Sequence, residues 1–287
     1  MKKSELLEIL KKMNITPSKK FGQNFMIDEN LIDFIVRNAD ISPGDIVVEV
    51  GPGCGVLTRK LLDAGANLTA VELDKRICDY LENNLKHASF SLRQGDGCRI
   101  DFSGFFAENA DRQARYADGD WKCIANLPYS ISSPFIAKIV ESPNPPAQML
   151  FLLQKETGER FAAGPGTKNY GSLSVLIQLV FDVKYIRTVP PNVFFPPPDI
   201  QSALVGFKRK DNIPSPPELK VLSKTVRTAF SQRRKKMIKA LSSIFGKENC
   251  IKAFEKLNID EGIRAEKLSP WQFLALSAEL VKEKESR

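Results

Sequence analysis

The stretch that decides the fold is IVVEVGPGCG, residues 46–55. Its first five residues are apolar except for one glutamate, which predicts a buried strand of a parallel sheet. The glycines that follow predict a tight turn, and Leu57, Leu61 and Leu62 predict a helix directly after it. Because glycine lets the backbone approach a ligand and a helix N-terminus offers N–H donors, we expect a binding site where this strand ends.

Strands and helices alternate around this stretch. The other predicted strands are residues 67–73, 89–94, 122–125 and 148–153, and the predicted helices are 28–38, 74–85, 134–141 and 173–181. Such alternation predicts a parallel sheet with right-handed crossovers. Residues 184–189 and 203–207 then follow without a helix between them, so we expect an antiparallel pair to close the sheet. The predicted fold class is α/β, with a Rossmann-like sheet.

The pattern changes near residue 210. Residues 208–217 form a proline-containing linker, and from residue 218 to the end the apolar residues recur at helical spacing. We therefore expect a basic N-terminal arm at residues 1–20, a Rossmann-like domain at residues 21–210 and a smaller all-α domain at residues 218–287. The polar stretch 102–120 is predicted to be an irregular surface excursion.

The positive charge is concentrated at the two ends of the chain. The 287 residues carry 42 Lys and Arg against 34 Asp and Glu, a formal net charge of +8. Residues 1–20 carry +4 and residues 218–287 carry +7, so the central 197 residues are slightly acidic at −3. Basic segments around a body of opposite sign predict an acidic partner, with nucleic acid the first candidate.

Composition excludes several classes of protein. With 43% hydrophobic and 26% charged residues, the chain is neither disordered nor collagen-like nor a coiled coil. Five Cys without a Cys-x-x-Cys pair, and one His, predict no zinc site. No apolar run approaches the ~18 residues of a membrane span, and the N-terminus lacks a signal-peptide pattern. An odd number of cysteines fits a reducing compartment, so we expect a cytoplasmic protein.

Carboxylates follow two of the predicted strands at the same edge of the sheet. Glu72 closes the second strand, 17 residues after Gly55, and an acid at that place can accept hydrogen bonds from both hydroxyls of a ribose. Asp96 follows the third strand. With the glycine turn, these acids predict a cofactor that carries an adenosine. They leave its identity open, since NAD-type fingerprints have glycine where this chain has Val56.

The motif Asn126-Leu127-Pro128-Tyr129 ends the fourth strand, in the crevice at the carboxyl edge of the sheet. The amine of a nucleobase is a poor nucleophile, and the Asn126 amide oxygen and the Leu127 carbonyl can accept its two hydrogens. Pro128 stiffens the turn, and Tyr129 offers a ring on which a base can stack. Together with the glycine turn, this motif resembles that of the amino methyltransferases that use S-adenosylmethionine.

Motifs along nearly the whole chain are similar to those of one family. They are KFGQNFM at 20–26, LQKE at 153–156, YGSLSV at 170–175, PPPDIQSA at 196–203, FSQRRKK at 230–236 and RAEKL at 264–268. In this order they resemble the rRNA adenine N6,N6-dimethyltransferases. The resemblance implies that S-adenosylmethionine is the methyl donor and that no metal is needed. The residues that it implies as cofactor-binding are Asn24, Met26, Gly51, Gly53, Glu72, Asp96 and Asn126.

The same resemblance implies the target and the groups that hold it. The catalytic motif is residues 126–129, and Phe194 is the second ring that stacks on the target adenine. Phe195 stands where a small polar residue is usual in the family, which leaves open which of the two rings stacks. The implied substrate is a pair of adjacent adenosines in the 3′-terminal loop of 16S rRNA, in the pre-30S particle, and the implied enzyme is a monomer.

A basic run follows in the predicted helical domain. Arg233, Arg234, Lys235 and Lys236 are predicted to lie in a helix, with Arg227 earlier on the same helix. Charge runs are usually solvated faces, but beside a methyltransferase motif this one predicts an RNA-binding face. Such contacts are made to phosphates, and they position the RNA rather than identify its sequence.

Two other functions stay open at this point. One is a 23S rRNA adenine dimethylase that confers antibiotic resistance, which shares the glycine turn and the Asn-x-Pro-Tyr core. The long proline-rich loop at 190–198 and the RAEKL motif favour 16S rRNA over that alternative. The other is a non-catalytic nucleic-acid-binding or assembly factor with the same fold, against which the intact Glu72, Asp96 and Asn126 argue.

Overall fold

The computed structural model of the chain describes residues 1–17, 22–106, 109–232 and 235–285. The strands, numbered in chain order, are β1 Phe25–Met26, β2 Ile46–Val50, β3 Asn67–Glu72, β4 Phe90–Gln94, β5 Lys122–Asn126, β6 Gln148–Gln154, β7 Phe181–Val189, β8 Phe194–Phe195 and β9 Ser202–Arg209. The helices are α1 Lys3–Lys12, α2 Glu29–Ala39, α3 Val56–Asp63, α4 Lys75–Asn84, α5 Ala110–Ala117, α6 Ser132–Val140, α7 Lys155–Ala162, α8 Ser172–Val180, α9 Pro216–Phe230, α10 Met237–Phe245, α11 Lys247–Lys256 and α12 Pro270–Glu285. The predicted α/β class is confirmed.

Seven strands form one mixed sheet in the order β4-β3-β2-β5-β6-β9-β7. β2 pairs in parallel with both β3 and β5, whereas β6 is parallel to β5 and antiparallel to β9. The chain moves outward from β2 to β4 and then continues on the other side of β2 with β5. The carboxyl ends of β2 and β5 therefore frame a switch point, the place where open parallel sheets bind ligands.

Alternating side chains of β6 fill the core on both faces of the sheet. Leu150 and Leu152 belong to a buried cluster with apolar side chains of α2 and α3. Phe151 faces the other way, and its ring centroid lies 5.9 Å from that of Phe135 and 5.8 Å from that of Phe207. Because successive residues of a strand face opposite sides, one apolar run packs against both layers.

A small second sheet was not predicted from the sequence. β1 and β8 pair in antiparallel fashion, with Phe25 opposite Phe195 and Met26 opposite Phe194. Strands of two residues are too short to show any alternation, so no periodicity could reveal them. Their pairing joins the segment before α2 to the proline-rich loop after β7.

The stretch 102–120, predicted to be irregular, contains α5 and a short turn of 3₁₀ helix. The prediction was wrong because scattered aromatic residues give this polar stretch an apolar face. Phe102, Phe106 and Tyr116 are buried around Trp121, whose ring centroid is 5.6 Å from that of Tyr116 and 5.8 Å from that of Phe102. An aromatic cluster of this kind offsets the low hydrophobicity of its surroundings.

The N-terminal residues predicted as a basic arm form α1, which packs on α4. Leu6 and Leu10 of α1 are buried in one cluster with Ile77 and Leu81 of α4. The lysines at positions 2, 3, 11 and 12 are exposed. Lys19 and Lys20 lie outside the described residues. α1 is therefore an amphipathic helix whose lysine side chains face solvent.

The chain divides into two compact units. The first comprises Met1–Lys138, Asn144–Gly158 and Lys184–Arg209, and the second comprises Ile139–Pro143, Glu159–Val183 and Lys210–Arg287. The predicted division, at residues 21–210 and 218–287, differs because α8 and its neighbours group with the C-terminal helices. Within the second unit, Tyr170 Oη donates a hydrogen bond to the Leu268 carbonyl (3.0 Å). This hydrogen bond joins residues that are 98 positions apart. Periodicity is a local signal, so it could not predict that the two segments belong to one unit.

The most apolar helix, α8, is a core element of the second unit. Six of its nine residues are buried. Within the described ranges, no helix is long and apolar enough to cross a membrane.

Candidate active site

A cavity lies at the switch point, against the carboxyl ends of β2, β3 and β5. The space between its walls is about 1130 Å³ when the open solvent at its mouth is included. All seven residues predicted to bind the cofactor line it, namely Asn24, Met26, Gly51, Gly53, Glu72, Asp96 and Asn126. Among the described residues, no group of three or more His, Cys, Asp or Glu side chains is placed to hold a metal ion.

The glycine turn has backbone conformations that favour glycine. Gly51, Gly53 and Gly55 have φ values of 73°, 55° and 77°, in the left-handed region. A Cβ atom on Gly53 would lie 3.1 Å from the Phe25 ring, and one on Gly55 would lie 2.8 Å from Leu81 Cδ2. A side chain would thus be strained at all three positions and crowded at Gly53 and Gly55. Gly51 and Gly53 bring the bare backbone to the cavity wall.

Glu72 is held in place by backbone donors at the end of β3. Its Oε1 accepts hydrogen bonds from the N–H groups of Leu73 (2.7 Å) and Asp74 (2.9 Å). Burial raises the pKa of Glu72 above its ordinary value, although these hydrogen bonds act in the opposite direction. The result is a fixed, buried carboxyl group, an arrangement suited to paired hydroxyl donors.

Asp96 begins a turn after β4 that packs tightly against the sheet. Its Oδ1 accepts a hydrogen bond from the N–H of Cys98 (2.9 Å). A Cβ atom on Gly97 would lie 2.8 Å from Val50 Cγ1, so the turn has no space for a larger residue. Lys138 Nζ donates to the Gly97 carbonyl (3.1 Å) from the other side. These contacts hold the Asp96 carboxylate at the cavity.

Asn126 is oriented by a residue far away in the sequence. Its Nδ2 donates a hydrogen bond to the backbone carbonyl of Asn24 (2.9 Å). Because the amide nitrogen is engaged, Oδ1 is the end of the side chain that can accept from a ligand. The next residue, Leu127, is buried, and its N–H donates to the Leu152 carbonyl of β6 (3.2 Å). The start of the motif is therefore fixed on both sides.

Pro128 packs directly against Gly22. A Cβ atom on Gly22, whose φ is 61°, would lie 2.8 Å from Pro128 Cβ. The Pro128 carbonyl accepts hydrogen bonds from the Ile131 N–H (3.1 Å) and from Ser132 Oγ (3.3 Å). The turn after β5 is thus closed by its own hydrogen bonds and covered by the segment before β1.

The aromatic residues predicted to stack on the target lie outside the cavity wall. Tyr129 is partly buried, and its Oη lies 2.7 Å from Ser202 Oγ of β9. Phe194 is 3% exposed and packs in the core cluster with side chains of α2. Phe195 is partly exposed, and Lys3 Nζ lies 5.0 Å from the centre of its ring. Of the two neighbouring rings, Phe195 is therefore the more accessible in this structure.

Sequence reasoning missed Glu49, Leu73 and Met1, which also line the cavity. Leu73 is 53% exposed beside Glu72. The α-ammonium group of Met1 forms an ion pair with Glu29 (2.8 Å). Glu49 had a visible signal, because a carboxylate inside an apolar strand is costly to bury unless it is paired or neutral. Met1 and Leu73 belong to no pattern that would have singled them out.

Lys235 and Lys236 of the basic run precede a helix rather than lie in one, so the helical prediction was wrong for these two residues. α9 ends at Phe230 and α10 begins at Met237. The Met237 N–H donates to the Ile263 carbonyl (3.0 Å), a long-range bond in place of a helical one. Lys235 and Lys236 precede α10 and are exposed. Arg233 and Arg234 lie outside the described residues.

Arg227 is in a different setting from these lysines. Its Nη2 lies 3.0 Å from Glu141 Oε1, and the same carboxylate oxygen accepts a hydrogen bond from Ser223 Oγ (2.8 Å). The Arg227 side chain is nevertheless 60% exposed. It therefore has an intramolecular partner while part of its guanidinium group remains accessible.

Comparisons with known proteins point to one family. A family model described as ribosomal RNA adenine dimethylase matches residues 14–282. Three relatives are each named ribosomal RNA small subunit methyltransferase A. The one from Clostridium acetobutylicum is 35% identical over 286 residues, 98% of this chain and 99% of its own. The one from Thiobacillus denitrificans is 38% identical and covers 92% of this chain and 98% of its own. The one from Francisella tularensis subsp. tularensis is 39% identical and covers 90% of this chain and 95% of its own.

Two solved structures share the fold. A dimethyladenosine transferase from Plasmodium falciparum has a TM-score of 0.75 at 24% identity, covering 90% of this chain and 98% of its own. A 23S rRNA methyltransferase has a TM-score of 0.65 at 21% identity, covering 90% of this chain and 100% of its own. At these identities the similarity establishes the fold alone.

Proposed function

Because the chain belongs to the ribosomal RNA adenine dimethylase family, we propose that it dimethylates N6 of two adjacent adenosines in the 3′-terminal loop of 16S rRNA. Family membership confirms the predicted class of enzyme, an rRNA adenine dimethyltransferase. The observation that carries the proposal is the position of Asn126, which ends β5 at the same cavity as Gly51 and Glu72. The small-subunit names of the relatives favour 16S rRNA over 23S rRNA.

The cavity suits S-adenosylmethionine as the methyl donor. Its described wall holds the carboxyl groups of Glu49, Glu72 and Asp96 and no Lys, Arg or His side chain. Such a wall complements a ligand with a sulfonium and an ammonium group. In this assignment Glu72 binds the ribose of the cofactor and Asp96 binds its adenine. Gly51 and Gly53 let the backbone approach the cofactor closely, and Asn24 and Met26 complete the wall of the cavity. The bound cofactor supplies an activated methyl group, so the protein needs no nucleophile of its own.

The motif at the end of β5 positions the target amine. Asn126 Oδ1 and the Leu127 carbonyl accept the two hydrogens of the amine, which directs the nitrogen lone pair toward the donor. Pro128 holds the turn, and Tyr129 presents its ring to the base, with Phe194 or Phe195 as the second ring. Catalysis in this arrangement is positioning and electrostatics.

Exposed basic residues in both units would hold the RNA backbone. In the first unit these are the lysines of α1 and its flanks. In the second they are Lys235, Lys236 and Arg227. Arg233 and Arg234, which lie outside the described residues, belong to the same proposed RNA-binding set. Contacts to phosphates of this kind give affinity and register without reading the sequence.

The setting follows from the substrate. We place the protein in the cytoplasm as a monomer that acts on 16S rRNA in the pre-30S particle, with a role in small-subunit biogenesis.

The test is direct mapping of 16S rRNA from cells that lack the protein. N6,N6-dimethyladenosine stops primer extension, so the stops at this adenosine pair should vanish on deletion. They should return with the wild-type gene and stay absent with Asn126→Ala. Asn38→Ala is the matched control, because Asn38 also donates its side-chain amide to a backbone carbonyl (2.8 Å) but outside the site. Unchanged 16S stops, with macrolide resistance gained on expression, would instead identify a 23S enzyme.

A further inference from the structure

Glu49 is a buried carboxyl group in the cavity wall that has no assigned role. It lies in β2 and is 1% exposed. Its Oε2 is buried without a hydrogen-bond partner. An unpaired carboxylate in this position is unstable, and burial raises the pKa of Glu49 to about 8.

The groups that face Glu49 do not supply a counter-charge. Glu72 of β3 raises the pKa of Glu49 further by repulsion. The nearby Thr58 hydroxyl of α3 lowers the pKa of Glu49, which opposes the effect of burial. Its Oγ1 is nevertheless buried without a hydrogen-bond partner. Cys123 of β5 is a buried thiol whose own pKa rises through burial and the charge of Glu49. Each neighbouring element thus contributes a neutral or an acidic group.

The remaining charges around the cavity follow the same pattern. Asp96 adds a third carboxyl group to the wall, and the described wall contains no Lys, Arg or His side chain. The α-ammonium group of Met1 is held by Glu29 at 2.8 Å, and Glu29 is not part of the wall. The positive partner that an ionised Glu49 requires must therefore come from the ligand.

We propose that Glu49 is a proton-linked counter-charge for the cofactor: it is neutral in the free protein and ionises when S-adenosylmethionine binds. The inference rests on the proposed cofactor. The carboxyl group loses its proton to the buffer and keeps the negative charge, which then faces the cationic ligand. Binding therefore consists of ligand uptake and the release of one proton, and no other bond is made or broken. The affinity for the cofactor rises with pH until Glu49 is ionised in the free protein.

Calorimetry with S-adenosylmethionine in buffers of different ionisation enthalpy measures this proton directly. For a group that titrates at about 8, the wild-type protein should release about 0.9 protons per cofactor at pH 7. The release should fall toward zero at about pH 9 or above. Binding with the same heat in every buffer would overturn the inference and leave the proposed cofactor intact. A lack of any binding would overturn the proposed cofactor as well.

Glu49→Gln identifies the source of the proton. The variant keeps the shape of the side chain and should release nearly one proton fewer. The affinity of the wild-type protein for the cofactor should rise about tenfold between pH 6 and pH 7, and the variant should lack this rise. Glu266→Gln is the matched control in the second unit, where Oε2 of Glu266 is also buried without a partner. It should behave as wild type. Unchanged proton release in Glu49→Gln would assign the proton to another group and refute the role of Glu49.

Discussion

The side-chain amide of Asn126 and the backbone carbonyl of Asn24 are joined by a hydrogen bond of 2.9 Å across 102 residues of sequence. This bond fixes which end of the amide faces the cavity. It also makes the segment before β1 part of the proposed catalytic site, since a displacement of Asn24 would break the hydrogen bond that orients the Asn126 side chain.

Asn126→Asp should remove this orientation while keeping the size of the side chain. The carboxylate cannot donate to the Asn24 carbonyl and would turn away from it, because two acceptors repel each other. We expect kcat to fall by about 10²-fold or more, the scale for loss of one positioned polar group in an active site. Multiple-turnover methylation with saturating pre-30S particles measures it. A variant with wild-type kcat would show that the orientation of the amide is unimportant.

Gly22→Ala tests the contact between the segment before β1 and Pro128. The new Cβ would lie 2.8 Å from Pro128 Cβ, so the turn that carries Asn126 must move. Gly44→Ala is the control, because Gly44 also has a positive φ (87°) but no atom within 4 Å of the new Cβ. Both variants should lose about 1–2 kcal/mol of stability from backbone strain. Urea unfolding and kinetic assays together should show that only Gly22→Ala also loses activity.

The hydroxyl and the ring of Tyr129 should have separable roles. Tyr129→Phe removes the contact with Ser202 Oγ (2.7 Å) and should cost about 0.5–1.5 kcal/mol of unfolding free energy. The ring remains, so the affinity for the target should change little. Tyr129→Ala also removes the stacking surface, which is worth about 1–3 kcal/mol per base. Equal RNA affinity for the two variants would exclude stacking by this ring.

Lys235 and Lys236 should contribute to the salt dependence of RNA binding. Neutralising both to Gln should lower the slope of log affinity against log salt concentration by about 1.5, since each phosphate contact contributes about 0.7–0.9. The control is the double variant Lys75→Gln with Lys86→Gln, which changes the net charge by the same amount at exposed positions of the first unit. It should leave the slope nearly unchanged. If both pairs lowered the slope equally, net charge rather than a local contact would explain the effect.

The stability of the cofactor-free protein should depend on pH through Glu49. Its pKa rises from 4.5 to about 8 on folding, so between these values the folded state binds more protons than the unfolded state. The free energy of unfolding must therefore fall as pH rises through this window. Urea unfolding at pH 5, 6, 7 and 8 should show the decline, and Glu49→Gln should make it shallower. Glu72 contributes in the same direction and stays in the variant.

Phe194 and Phe195 differ in burial, and substitution should separate them. Phe194→Ala removes a ring that is 3% exposed and should cost about 3–5 kcal/mol of stability through the cavity it leaves. Phe195→Ala should cost less, because this ring is partly exposed. The RNA affinity of each folded variant then identifies the ring that contributes to stacking.

Local patterns in the sequence determined the main sheet and the place of the residues that we propose to bind the cofactor. β2 matches its prediction at residues 46–50, because a short apolar run before a glycine turn leaves little choice of structure. The meeting of Gly51, Glu72 and Asn126 was also predictable. Parallel strands end at one edge of a sheet, so residues that follow different strands become neighbours without any knowledge of side-chain contacts.

Tertiary packing alone decided the features that depend on distant residues. The bond from Asn126 to Asn24, the pairing of Phe194 with Met26 and the interruption before Met237 each involve partners from separate parts of the chain. The lack of a partner for the buried Glu49 carboxyl group is of the same kind, since the glutamate was visible in the sequence but its unpaired setting was not. Periodicity reports only which face of an element is apolar, whereas partners, orientation and local dielectric are set when those faces pack together.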